Sequence, residues 1–196
     1  KFRYQWIDPV DVPDWIYLSY LGEDSLEFHD KLCDYLEAHP STKLAFQPGT
    51  FHFGWGLKAL ARVYSRSYIL VMNREEAADV TGGDHANLRE LLTKLRELGP
   101  IAVVTDGKDG SYASYDDTYI LMPNYPDSAP PLDRTGAGDA FASTIVAALA
   151  LGESVETALK WAPINSMNVV QQLGAQAGLQ TRSELEEWLK KAPDDY

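Results

Sequence analysis

Apolar residues along the chain follow two alternating patterns. Unbroken short runs, Trp15–Ser19 (WIYLS), Lys43–Gln47 (KLAFQ), Tyr68–Met72 (YILVM) and Ile101–Thr105 (IAVVT), read as strands. YILVM has no polar alternation, as expected when helices cover both faces of a strand. Between these runs the spacing turns helical. Phe28, Leu32, Tyr35 and Leu36 follow an Asp24…Glu27 capping box and predict a helix to about Ala38. Leu57–Tyr64 and Asn73–Val80 predict two more. Leu88, Leu91, Leu92, Leu95 and Leu98 share one face of a helix capped by Asp84 and stopped by Gly99-Pro100. Tyr4–Trp6 reads as a further strand or extended segment, and Pro48-Gly49-Thr50 as a loop. Tyr112–Tyr115 and Tyr119–Met122 predict a hairpin near a sheet edge. After a proline-rich loop, Pro123–Pro131, come helices at Ala140–Leu151, Val155–Gln172 and Ser183–Lys190, the last with a Thr181…Glu184 capping box.

Strands alternating with helices imply βαβ units, hence an α/β fold with a mostly parallel sheet and helices on both faces. The 196 residues, with no repeat and no evident linker, suggest one domain. Composition adds exclusions. Apolar types at 45% and charged types at 23% are ordinary globular usage, so wholesale disorder is excluded. The net charge of −12 makes nucleic acid and anionic membrane poor partners. A single cysteine, Cys33, cannot form an intrachain disulfide, which fits a reducing, cytoplasmic setting. His29, His39, His52 and His85 are scattered without zinc-ligand spacing. The chain opens on Lys1-Phe2-Arg3 without an initiator Met, as expected of a cut product or part of a longer polypeptide.

The richest chemistry lies in Asp133-Arg134-Thr135-Gly136-Ala137-Gly138-Asp139, directly before an apolar helix. Gly136 and Gly138 let the backbone curl so that successive N–H groups face one concavity at the positive end of the helix dipole, which makes an anion hole. Asp139 then falls in the first helical turn, where a carboxylate is favourable and could take a proton from a hydroxyl beside a bound phosphate. The plainer reading is an N-cap loop. Against it, six specified positions recur by chance on the order of once in a hundred thousand chains of this length.

This string resembles the signature of the ribokinase-like (PfkB-type) carbohydrate kinases, in which the last Asp is the catalytic base. Three further motifs extend the resemblance over about residues 15–190, roughly the C-terminal two-thirds of a family member. Asn73-Arg74-Glu75-Glu76 resembles the family's Asn-x-x-Glu, which holds the nucleotide's Mg²⁺ through water. Thr105-Asp106-Gly107-Lys108-Asp109-Gly110 resembles its Thr-x-Gly-x-x-Gly nucleotide loop, and Gly174-Ala175 the loop closing around the adenine. Taken alone, Asn-x-x-Glu is also a passable helix cap and Thr-x-Gly-x-x-Gly a strand-to-hairpin turn.

The resemblance implies a three-layer α/β/α sandwich lacking most of its N-terminal strands and lid, with residues 1–7 a candidate lid remnant. It implies ATP-dependent phosphoryl transfer to a hydroxyl of a sugar or nucleoside. Gly136, Ala137 and Gly138 would hold the γ-phosphoryl group and Asp139 would act as base. Asn73 and Glu76 would orient Mg²⁺. Thr105, Gly107, Gly110 and Thr135 would contact phosphates, and Gly174 and Ala175 the adenine. Asp133 resembles a monovalent-cation ligand, and a homodimer is compatible with the family. Pro163 stands where many members carry Asn or His near the adenine, so contact there is expected to be apolar or absent. Arg134 fills the signature's variable position, and Lys108 is given a minor role. The sugar-recognition residues are expected outside this sequence, and the alternative is a nucleotide-binding fragment inactive without them. A vitamin-type kinase of the same fold is disfavoured by the form of the signature. A P-loop enzyme and a protein kinase are disfavoured by the absence of Gly-x-x-x-x-Gly-Lys-[Ser/Thr] and of a His-Arg-Asp loop.

Overall fold

A computed structural model describes residues 4–194 and 196. The candidate lid remnant therefore lies partly outside the described residues, at 1–3. Its remainder forms no strand: Tyr4 accepts a hydrogen bond from Gly22 N–H at 2.7 Å, and Trp6 packs edge-on against Phe28.

Six strands form one sheet in the order of the chain: β1 (Trp15–Leu18), β2 (Lys43–Phe46), β3 (Ser67–Asn73), β4 (Ile101–Thr105), β5 (Ser111–Tyr115) and β6 (Thr118–Met122). The first four pair parallel. Helices α1 (Leu26–Ala38), α2 (Thr50–Ala59) with α3 (Ala61–Arg66), and α4 (Arg74–Thr81) with α5 (Leu88–Arg96) supply the crossovers that parallel pairing requires. The two residues between β5 and β6, Asp116 and Asp117, turn the chain through a positive φ at Asp116, closing the expected hairpin. The fold is α/β, with a mostly parallel sheet and flanking helices. No helix among the described residues is long and apolar enough to cross a membrane.

The chain divides into two compact units. The first comprises residues 1–106 and 112–120. Its core joins Leu32 and Leu36 of α1, Phe46 of β2, Leu70 of β3, Leu91 and Leu95 of α5 and Val104 of β4, all buried. Ile69, Val71 and Val103, on the opposite faces of β3 and β4, are buried too, which is why YILVM and IAVVT carry no polar alternation. The second unit comprises residues 107–111 and 121–196. In it α6 (Ala137–Ala150) packs on α7 (Val155–Val170), and α7 on α8 (Arg182–Leu189). Thr181 and Glu184 form the predicted capping box.

Helix starts differ from expectation in four places, each for a local reason. Asp24 does not cap α1: a 3-10 turn at Glu23–Ser25 intervenes, and Ser25 Oγ donates back to Gly22 O. Asn87, not Asp84, caps α5 by accepting from Glu90 N–H, while Asp84 accepts from Ala86 N–H in the preceding loop. α6 begins at Ala137 because Gly136 already takes the left-handed cap conformation. α2 begins at Thr50, well before Leu57, because His52 turns back to accept from Gly49 N–H at 2.8 Å. α7 runs continuously through Pro163, which is buried.

Candidate active site

In the second unit the chain before α6 is tied down from both sides. Asp133 Oδ1 accepts from Thr135 N–H at 2.9 Å and Oδ2 from Gly174 N–H at 3.2 Å, so one carboxylate joins the signature loop to the loop after α7. Hydrogen bonds from Thr135, through side chain and backbone, and from Gly174 hold the Asp133 carboxyl below the usual carboxylate range. Leu132 N–H donates to Val170 O at 2.8 Å, fixing the loop to the end of α7.

Gly136 follows with φ +82°, and a Cβ there would stand 2.7 Å from the Cα and O of Ala175. Both the backbone conformation and the approach of Ala175 demand glycine at this position. Ala140 N–H donates to Gly136 O at 2.8 Å as the first helical bond, while Ala137 N–H closes the preceding turn on Arg134 O at 3.3 Å. Gly138 is different: a Cβ there meets nothing within 4 Å, so the side of the helix N-terminus it occupies is open. Asp139 sits in the first turn of α6 and is exposed. Thus Asp133, Thr135, Gly136, Gly174 and Ala175 come together, with Gly138 and Asp139 on the adjoining helical turn.

The same unit holds residues 107–111. Gly110 has φ +89°, and a Cβ there would reach 2.5 Å from Met122 O. Asn124 Nδ2 donates to Gly107 O at 2.8 Å. Lys108 is paired with Asp109 at 2.9 Å, both exposed.

In the first unit, Asn73 and Glu76 bond each other's backbone at the start of α4: Asn73 Oδ1 accepts from Glu76 N–H and Glu76 Oε2 from Asn73 N–H, both at 2.9 Å. Each uses one side-chain oxygen in this box. Burial pushes the Glu76 carboxyl above its usual range against the pull of the Asn73 N–H, and the nearby Asp79 and Glu75 charges push the same way. Thr105 is the last residue of β4 and stands opposite Asn73 in the sheet register.

Three arrangements were not foreseen from sequence. Arg74 Nη1 donates to Asp106 Oδ2 at 2.6 Å. Asn124 supports the Gly107 turn, and its only sequence signal was an amide in a proline-flanked loop. Asn165 in α7 is buried, accepts from Gln180 N–H at 2.9 Å and donates to Thr144 of α6 at 2.8 Å, a link that no local pattern encodes.

Comparison with known proteins gives a consistent picture. Residues 40–182 match the model of the pfkB family of carbohydrate kinases. Over 86 residues, 44% of this chain and 29% of the relative, the sequence is 41% identical to ribokinase of Bacillus subtilis. Among solved structures, the nucleoside kinase of Methanocaldococcus jannaschii, described as an archaeal member of the ribokinase family, superposes with a TM-score of 0.75 at 22% identity, covering 94% of this chain and 58% of that one. An E. coli protein assigned as a ribokinase II, crystallised with ATP and Mg²⁺, superposes with a TM-score of 0.78 at 19% identity, covering 91% and 59%. The chain thus spans under two thirds of the length of these relatives.

Proposed function

The chain belongs to the pfkB family of carbohydrate kinases, and from that premise we propose that it carries the nucleotide-binding and catalytic portion of an ATP-dependent kinase whose acceptor is a hydroxyl of a sugar or nucleoside. The observation that supports this most is the tethered loop at residues 133–138, which ends in an open helix N-terminus with Asp139 one residue beyond it. A helix N-terminus with open glycine backbone suits an incoming phosphoryl group without any cationic side chain. That matters in a chain with a net charge of −12.

Phosphoryl transfer asks the protein chiefly to position reactants and neutralise charge. In this reading Gly136, Ala137 and Gly138 cradle the γ-phosphoryl group, and Ala137 N–H leaves its long bond to Arg134 O to take part. Thr135 and the turn from Thr105 through Gly107 to Gly110 contact the trailing phosphates. Gly174 and Ala175 line the adenine, and the Asp139 carboxylate accepts the acceptor's hydroxyl proton. Glu76 fits a divalent cation, since its carboxyl is half-buried among negative charge and uses only one oxygen in the helix cap. Mg²⁺ bound with nucleotide needs few carboxylates because phosphates and waters complete its shell, and it would neutralise charge on the phosphates. Asn73 would orient its water. Asp133, already holding two N–H groups, is the candidate for a monovalent cation. We place this work in the cytoplasm.

Asp139→Asn tests the reading. In the whole protein, phosphoryl transfer to a panel of sugars and nucleosides should fall at least about a hundredfold, with the affinity for Mg·ATP within a fewfold of the original. Turnover unchanged by the substitution would remove Asp139 from the role of base.

A further inference from the structure

The parallel pairing of β3 and β4 ends with Asn73 opposite Thr105. One residue further along each chain the backbones no longer pair, and Arg74 and Asp106 close the gap through their side chains, Nη1 to Oδ2 at 2.6 Å. The same guanidinium donates through Nε to His85 O at 2.7 Å and through Nη2 to Ala86 O at 3.1 Å. One planar group thus joins the start of α4, the loop before α5 and the end of β4. A lysine could not hold three acceptors in these directions at once. The two side chains are only 22% and 16% exposed, so water screens the pair less than an open surface pair.

Arg74 and Asp106 occupy variable positions of the two motifs, and the proposed reaction gives neither a role. Yet each adjoins a residue assigned to the nucleotide, Arg74 beside Asn73 and Asp106 beside Thr105. Asp106 puts a carboxylate next to a place meant for a polyanion. Uncompensated and within about 8 Å of phosphate charge, such a carboxylate would weaken binding on the order of tenfold at an effective dielectric near 20. We propose that the Arg74–Asp106 pair is a positioning element of the nucleotide site: it fixes the Asn73–Glu76 cap against the end of β4 and cancels the charge of Asp106 so that a polyphosphate can approach. This rests on the reading that Asn73, Glu76 and Thr105 serve a nucleotide.

The test is the binding of ATP, ADP and AMP, each with Mg²⁺, to the wild-type chain, Arg74→Met, Asp106→Asn and the double variant, followed by displacement of a fluorescent ATP analogue. Arg74→Met should weaken ATP roughly tenfold, ADP less and AMP least, because the loss scales with phosphate charge. Adding Asp106→Asn should restore most of the ATP affinity by removing the orphaned carboxylate. Asp106→Asn alone keeps an amide where the carboxylate stood and should leave ATP affinity equal or tighter. It reads the charge effect even where Arg74→Met fails to fold. Equal losses for all three nucleotides, no rescue in the double variant, or weaker ATP binding by Asp106→Asn would each overturn the proposal. Wild-type chain that binds none of the nucleotides would instead overturn the functional reading beneath it.

Discussion

His29 of α1 and His52 of α2 are 1% and 0% exposed, and their Nε2 atoms lie 2.9 Å apart. Gly49 N–H can only donate, so His52 Nδ1 must accept and its proton must sit on Nε2. That proton points to His29 Nε2, which leaves the second proton on His29 Nδ1, donated to Ser25 O at 2.6 Å. The chain of bonds closes only with both rings neutral: a proton on either sets two donors face to face. Burial among Phe46, Phe28 and Trp55 opposes charge as well, pushing His29 down despite Ser25 O and Asp30, and lowering His52 to about 4. The unfolded chain therefore takes up a proton near pH 6.5 that the native chain refuses until about pH 4. Stability contributed by neutral His52 is complete above pH 6.5 and is lost as pH falls towards 4. By linkage the loss is about 2 kcal/mol at pH 5 and about 3 kcal/mol at pH 4 from His52 alone, with His29 adding in the same direction. With a urea slope near 2 kcal/mol/M, the midpoint should fall by about 1 M between pH 8 and pH 5. Urea titrations followed by tryptophan fluorescence measure this against His29→Leu/His52→Met, which removes both titrations. The double variant will be weaker at neutral pH because Gly49 N–H loses its acceptor, but its pH slope should be shallower by the stated amount. Equal slopes for the two proteins, or a native resonance assigned to His29 or His52 titrating above pH 6, would refute the neutral relay.

Three further substitutions separate roles within the second unit. Gly136→Ala forces a positive φ on a residue with a Cβ and drives that Cβ against Ala175, so it should cost about 2–3 kcal/mol in a denaturation curve. Gly138→Ala meets open space inside a helix and should leave stability unchanged or raised by about 0.5 kcal/mol, while abolishing binding of a γ-phosphoryl group; normal ATP affinity in that variant would refute the cradle. Thr181→Ala removes the hydroxyl half of the α8 capping box and should lower stability by about 1 kcal/mol, or about 2–4 °C in Tm; an unchanged melting curve would show that the Glu184 half carries the cap.

Most of the fold is legible in the sequence because its signals are local. YILVM and IAVVT announce buried parallel strands, and Thr181 with Glu184 announces the start of α8. The errors are also local in origin. Pro48-Gly49-Thr50 has the composition of a loop, yet α2 starts there because His52 supplies the bond that a Ser or Asp cap would have given. That same misplacement hides the histidine pair, since His29 and His52 meet only once α2 is seated against α1. For the site, the motif glycines are readable, whereas Arg74–Asp106 and Asn165–Gln180 depend on strand register and on how α7 meets the chain before α8. No window of sequence contains those facts.

How an acidic chain could hold a polyphosphate turns on where its cations are spent. Beside the candidate nucleotide motifs, Arg74 is matched by Asp106 and Lys108 by Asp109. These two pairs bring no net positive charge, which leaves Arg134 of the signature and the backbone to supply attraction. The N-terminus of α6 offers about half a unit of positive charge from its backbone, shared with the Asp139 carboxylate in its first turn. Glu76, held above its usual range by burial and by Asp79 and Glu75, favours a bound cation over an isolated negative charge. On the proposed reading, phosphate would be attracted weakly until a metal arrived with it, so the metal–nucleotide complex, rather than free ATP, would be the species taken up.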